Sequence, residues 1–322
     1  MKRDLVGFAG LTPLKRDLVD FAGLAPLKRW SVDFAGLALL KRGLVGFAGL
    51  ALLKRGLVGF AGLVTSFLHS YLWGKRALEN KIHQIMFNSL LFISLAPVIV
   101  IAFYIYTRDL YEKEPVNLLL KALLIGVLSA LPVVLIEYML DAFYLGSEGL
   151  NEAAYTAFIV AAMTEEGIKF LAMFLFFWKE RNFNEKFDGI VYAVYISLGF
   201  AGIENVLYVF MGGYSVGILR ALTAVPAHAL FGIMMGYYFG LARFDQKSTT
   251  LCLILAFVVP FISHGLYDFL LMGNTPLLLL IFIPVFFYFW VSGFRKMSKL
   301  SDLSVFKKET VSDQDYEETI DL

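Results

Sequence analysis

The sequence predicts an all-α protein that crosses a membrane about seven times and buries a polar site between its helices. Three observations predict it. Of its 322 residues, 59% are hydrophobic and 16% aromatic, more than a soluble core of this size uses. From Met86 onward, long apolar runs alternate with short polar loops. Several of those runs carry acids, imidazoles and a lysine, which at the middle of a membrane helix cost roughly 2.5 to 3.5 kcal/mol each and so must face protein.

Residues 1–63 are five copies of a 13-residue unit, with Lys-Arg at Lys2, Lys15, Lys28, Lys41 and Lys54 and Phe-Ala-Gly-Leu closing each copy. At about 100° per residue, successive copies start about 220° apart, so no apolar face accumulates along a helix. The apolar intervals are too short to span a bilayer, which takes roughly 17 to 25 residues. The tract reads as low-complexity sequence ahead of a native start at Met86. Its rival reading is a basic arm on the membrane surface. Residues 1–85 are therefore set apart from a membrane domain at 86–295.

Within that domain the spans fall at about 87–106, 118–140, 155–178, 189–210, 218–241, 251–272 and 276–293. Loops one, three and five carry Arg108 with Lys113, Lys179 with Arg181 and Lys186, and Arg243 with Lys247, and Arg295, Lys296 and Lys299 follow the last span. Loops two and six have no basic residue, and loop four has only Arg220 at its edge. The positive-inside rule then puts the odd loops and the C-terminus in the cytoplasm. Residues 296–322 are polar and acidic toward the end, and read as a disordered cytoplasmic tail.

A formal net charge of +1 gives no field for nucleic acid, and the single cysteine, Cys252, excludes an internal disulfide and a cysteine metal cluster. The chemistry lies instead in the spans. Span three holds Glu165, Glu166 and Lys169, at i,i+4 and i,i+3 steps that let the ammonium meet either carboxylate. Span four holds Glu204 and Asn205, span five His228, and span six His264 with Asp268 one turn on. At 1.5 Å per residue, Glu165, Glu204, His228 and His264 lie about 15, 9, 15 and 12 Å from the outer ends of their helices. A common level implies one shared cavity in the outer half of the bilayer. Asp268 is placed to accept the His264 imidazole N–H, and Pro226 to loosen the helix that carries His228.

Carboxylates and imidazoles in one cavity suit water activation, with a base for its proton and groups for the oxyanion and leaving amine. They equally suit zinc held by His228, His264 and Glu204, with an open position for water. A proton-coupled transporter or channel would use the same acids as a relay, and a non-catalytic membrane binder would keep the fold alone.

Four motifs in order, Glu165-Glu166-Gly-Ile-Lys169, Phe200-Ala-Gly-Ile-Glu204-Asn205, His228, and His264-Gly265-Leu-Tyr-Asp268, resemble those of the PrsW family of intramembrane proteases, distant relatives of the CAAX-processing and bacteriocin-processing membrane proteases. Tyr111-Glu-Lys-Glu-Pro115 and Phe187-Asp-Gly-Ile-Val191 are also similar to that family's. The resemblance covers residues 86–295. It implies a multi-pass protease of the bacterial inner membrane that cuts single-span membrane proteins, such as an anti-sigma factor, near the outer face of the bilayer. The site it implies has Glu165 or Glu166 activating water, His228 and His264 binding metal or stabilising the oxyanion, and Lys169, Glu204, Asn205 and Asp268 supporting them. The family is described as metal-dependent, whereas the CAAX-type relatives, with His where this chain has Glu204, resemble metal-free glutamate proteases.

Overall fold

The computed structural model describes residues 47–245 and 248–307. Lys2, Lys15, Lys28 and Lys41 of the repeat, Lys247 of loop five and residues 308–322 of the tail lie outside the described residues. Two compact units divide the chain, Met1–Leu78 and Glu79–Leu322. Helix α1 (Phe47–Arg108) supplies the described part of the first unit, where every side chain from 61 to 78 is exposed.

In the second unit the chain continues through α2 (Val116–Ala142), α3 (Leu150–Tyr155), a π-helical stretch (Thr156–Ala162), α4 (Met163–Phe177), α5 (Asp188–Leu222), α6 (Ala224–Phe244), α7 (Thr249–Met272) and α8 (Pro276–Asp302). No strand occurs among the described residues. Five stretches are long and apolar enough to cross a membrane: Ala61–Arg108, Val116–Ala142, Asp188–Phe244, Thr249–Met272 and Pro276–Asp302. The sequence predicts seven, and the difference has two physical causes. Spans four and five run together as one helical stretch broken only at Gly213 and Thr223. Span three is divided into α3, the π-helical stretch and α4, and three charges interrupt its apolar run.

The core is the antiparallel pair α5 and α6, buried along most of its length. With lipid rather than water outside, helices gain little from hiding apolar surface and associate through close packing of small residues. Gly189 and Gly236 show this, since a Cβ on Gly236 would run into the Gly189 carbonyl. Around that pair, Tyr192, Phe231, Met235 and Phe239 are fully enclosed, with α2, α7 and α8 packed outside. Outward-facing rows remain, such as Leu120, Leu124, Leu128, Leu131 and Leu135 on α2, at steps of three and four. Such rows would be a liability in water and match acyl chains.

Two segments differ from their sequence reading. Helix α8 continues past 293 to Asp302 with Met297 and Leu300 buried, so the first part of the expected tail belongs to the folded body. At the opposite end of the bundle from the polar site, loop one docks on α5, where the Tyr192 hydroxyl donates to Glu114 and Asp188 Oδ2 accepts from the Asn184 and Glu185 amides at 2.8 Å each. Burial pushes Asp109 and Glu114 in this loop up to about 7.

Candidate active site

The segment that carries the two glutamates begins irregularly. The π-helical stretch widens the turns just ahead of α4, a device common where a helix must aim side chains at a site. Thr164, Glu165, Glu166 and Lys169 all point inward from α4, and Glu166 and Lys169 are wholly enclosed. Helix α6 brings His228 and α7 brings His264, both buried. Pro226 lies in the first turn of α6, where no intrahelical hydrogen bond is lost, so it starts that helix and does not loosen it as the sequence suggests.

Lys169 is the hub. Its Nζ donates to Glu165 Oε2 at 2.9 Å and Glu166 Oε1 at 2.9 Å, faces His228 Nδ1 at 3.2 Å, and lies 4.1 Å above the Phe200 ring. An ammonium has only donors, so His228 Nδ1 accepts. The proton of that imidazole is then on Nε2, which meets Glu204 Oε2 at 2.9 Å.

His264 is placed differently. Its Nδ1 lies 2.9 Å from Glu166 Oε1 and its Nε2 3.2 Å from Asp268 Oδ2, so a carboxylate faces each ring nitrogen. Acceptors on both sides are satisfied by an imidazolium or by a cation at Nδ1. Phe231 stacks on the ring at 4.9 Å between centroids and fixes its plane. Four groups thus converge: Glu165, Glu166, His228 and His264 each offer one ligand atom within 4.8 Å of the others. The other oxygen of Glu166, Oε2, is a buried acceptor with no hydrogen-bond partner in the protein.

Glu204 lies outside this inner group, behind His228, and Asp268 lies behind His264. Asn205, fully buried, donates from Nδ2 to the Ser94 carbonyl at 2.8 Å and so ties α5 to α1. Sequence reasoning missed two further residues. Arg220, counted only as a loop charge, pairs with Glu204 at 2.9 Å and donates from Nε to Asn205 Oδ1 at 3.0 Å. Glu137, near the C-terminal end of α2, lies within electrostatic reach of Glu165, Glu204, Lys169 and His264. A carboxylate inside span two was the signal available for it.

Residues 114–292 match the family described as PrsW family intramembrane metalloprotease. Protease PrsW of Geobacillus kaustophilus (strain HTA426) is 41% identical over 187 residues, covering 58% of this chain and 81% of the relative. Protease PrsW of Clostridioides difficile (strain 630) is 35% identical over 216 residues, covering 65% and 90%. Protease PrsW of Bacillus subtilis (strain 168) is 34% identical over 212 residues, covering 66% and 95%. No solved structure matches the chain.

Proposed function

The chain belongs to the PrsW family of intramembrane metalloproteases, and from that premise we propose that it hydrolyses a peptide bond of a single-span membrane protein, such as an anti-sigma factor, near the outer face of a bacterial inner membrane. The basic odd-numbered loops support a cytoplasmic C-terminus and an outward-facing site. One observation carries the chemical reading: a buried carboxylate oxygen without a protein partner, Oε2 of Glu166, on a residue that shares one group with two imidazoles and a second glutamate.

In this reading Glu166 Oε2 takes a proton from water as the water oxygen bonds to the scissile carbonyl carbon. The oxyanion that forms is offset by the positive charge of a doubly protonated His264 in the same group, its two N–H groups remaining on Glu166 and Asp268. The C–N bond then breaks, and the proton passes from Glu166 to the leaving amine. Lys169 holds Glu165 and Glu166 in place as paired carboxylates. Phe200 and Phe231, packed against the ammonium and the imidazole, keep bulk water from that side.

The donor set suits a metal ion. His228 and His264 turn Nδ1 inward and have carboxylates, Glu204 and Asp268, behind Nε2, the backing that metal-ligating histidines take. Glu165 would complete a three-donor set that leaves a position open for water and Glu166 as its base, with Glu204 in the outer role and not among the ligands. Zinc, when bound, supplies Lewis-acid polarisation of the carbonyl and a more acidic water. The test is cleavage of a single-span reporter by purified protein in proteoliposomes, with Glu166→Gln as control. Equal cleavage by both would remove the assignment.

A further inference from the structure

Helix α5 does not end where its span should. At Gly213 the backbone takes φ 75° and ψ −164°, open to glycine alone, and residues 214–222 turn back along the helix they leave. Arg220 and Asn205 are fifteen residues apart, which in a straight helix is about 22 Å. Instead Arg220 Nε donates to Asn205 Oδ1 at 3.0 Å. The returning segment fits closely, because a Cβ on Gly217 would lie 3.0 Å from Ile93 Cγ2 and 3.3 Å from Val209 Cγ2.

The reversal delivers one cation to the back of the site. Arg220 lies 4.1 Å over the Tyr208 ring, with Nη2 2.9 Å from Glu204 Oε2. That contact is charge against charge, because the Nη2 hydrogens are not aligned on the oxygen. The same oxygen faces His228 Nε2 at 2.9 Å. Guanidinium and imidazole therefore converge on a single atom.

We propose that Arg220 is a positioning residue for hydrolysis, acting through Glu204 to hold His228 in the Nε2–H tautomer, with Nδ1 turned inward as an acceptor. A guanidinium stays charged at any working pH and keeps Glu204 an anionic acceptor at that spot. Glu204 itself is only partly enclosed, its side chain 21% exposed, so without Arg220 its carboxylate has room to leave His228. His228 then loses the acceptor for its Nε2–H, and the Lys169 ammonium facing Nδ1 is the restraint left on where the proton sits. A merely structural Arg220 would close the hairpin and leave the imidazole unaffected.

The kinetic arm of the test rests on the protease reading, and the spectroscopic arm does not. Full-length protein with 15N-labelled histidine is placed in nanodiscs at pH 7.5, and the His228 signals are assigned by their loss in His228→Ala. The wild type is expected to show protonated Nε2 and unprotonated Nδ1 for His228. Arg220→Gln is expected to give mixed tautomers, with kcat lowered tenfold or more and KM within twofold. Arg220→Lys keeps a charge on Glu204 and is expected to retain the Nε2–H signal and at least a third of wild-type kcat. An unchanged His228 spectrum in Arg220→Gln overturns the proposal, whatever happens to kcat. If that variant does not fold, a folded Arg220→Lys that has lost the tautomer does the same. Absence of cleavage by the wild type would sink the protease reading and leave the imidazole spectra to decide Arg220.

Discussion

Glu166 and His264 meet across two helices, Oε1 to Nδ1 at 2.9 Å, although 98 residues separate them in the chain. In the proposed reaction the imidazole holds one carboxylate oxygen, and the second, without a protein partner, is the base. Glu166→Gln or His264→Ala should therefore lower cleavage of a single-span reporter by about 10²- to 10⁴-fold, the usual worth of a positioned acid or base. Membrane insertion, followed by protease protection, should be unchanged. Substantial activity in either variant would show that the proton goes elsewhere.

Lys169 is the cation for two enclosed carboxylates, and removing one partner of a buried ion pair leaves the other charge uncompensated. Lys169→Met should destabilise the protein by about 3 to 5 kcal/mol. Glu165→Gln added to that variant should recover part of the loss, because it removes one of the stranded charges. Urea unfolding in detergent measures both, and a Lys169→Met protein as stable as the wild type would mean that water reaches these acids freely.

Much of this site is readable in the sequence because a bilayer makes each buried charge conspicuous. Glu165, Lys169, Glu204, His228 and His264 stand out from apolar runs, and their spacing from the helix ends already suggests a common level. Arg220 does not stand out, because the reversal at Gly213 that returns it to Asn205 is a matter of one backbone dihedral. Only the Gly212-Gly213 pair hints at it. The π-helical stretch has no periodic signature either, since seven apolar or small residues look the same in any helix. The five stretches differ from the seven predicted spans for a related reason: length and apolarity do not say where a continuous helix bends.

The zinc of the proposed mechanism can be tested directly. Cleavage should fall at least tenfold after equilibration with a zinc chelator and return on adding zinc. Independently of activity, mass spectrometry should find about one zinc per chain in the wild type and much less in a His228→Ala, His264→Ala double variant, whose remaining donors are too few for a tetrahedral site. Chelator-insensitive cleavage by zinc-free protein would leave the Lys169 ammonium as the cation of the site and remove zinc from the mechanism.

Loop one predicts a pH dependence of stability that is separate from catalysis. Burial raises Asp109 from its ordinary 3.8, and Glu114 from 4.5, to about 7 in the folded protein. Between those values the folded state holds protons that the unfolded state has released, so stability falls as pH rises. The contribution is complete below the unfolded values and lost by about pH 7. Thermal midpoints in detergent should thus decline from pH 4.5 toward 7. Asp109→Asn with Glu114→Gln should flatten the curve; an unchanged slope in that variant would place the titrating groups elsewhere.

Gly265 follows His264 directly, and its missing side chain is what lets α7 approach the π-helical stretch. A Cβ there would overlap the ring of Phe158. That ring packs in turn against Phe261 and Phe269, at centroid distances of 6.2 and 6.4 Å. Gly265→Ala should otherwise favour the helix by about 1 kcal/mol, so any loss must come from the clash. Overpacking of this kind costs about 1 to 3 kcal/mol and is relieved by moving α7 outward, which carries His264 away from Glu166. A shift of about 1 Å at a reacting centre can cost 10²-fold in rate, and Gly265→Ala should lower kcat about 10- to 100-fold. Phe158→Ala in the same chain removes the obstructing ring and should restore most of it. If the double variant stays as slow as Gly265→Ala alone, the contact between Phe158 and Gly265 is not what sets the distance from His264 to Glu166.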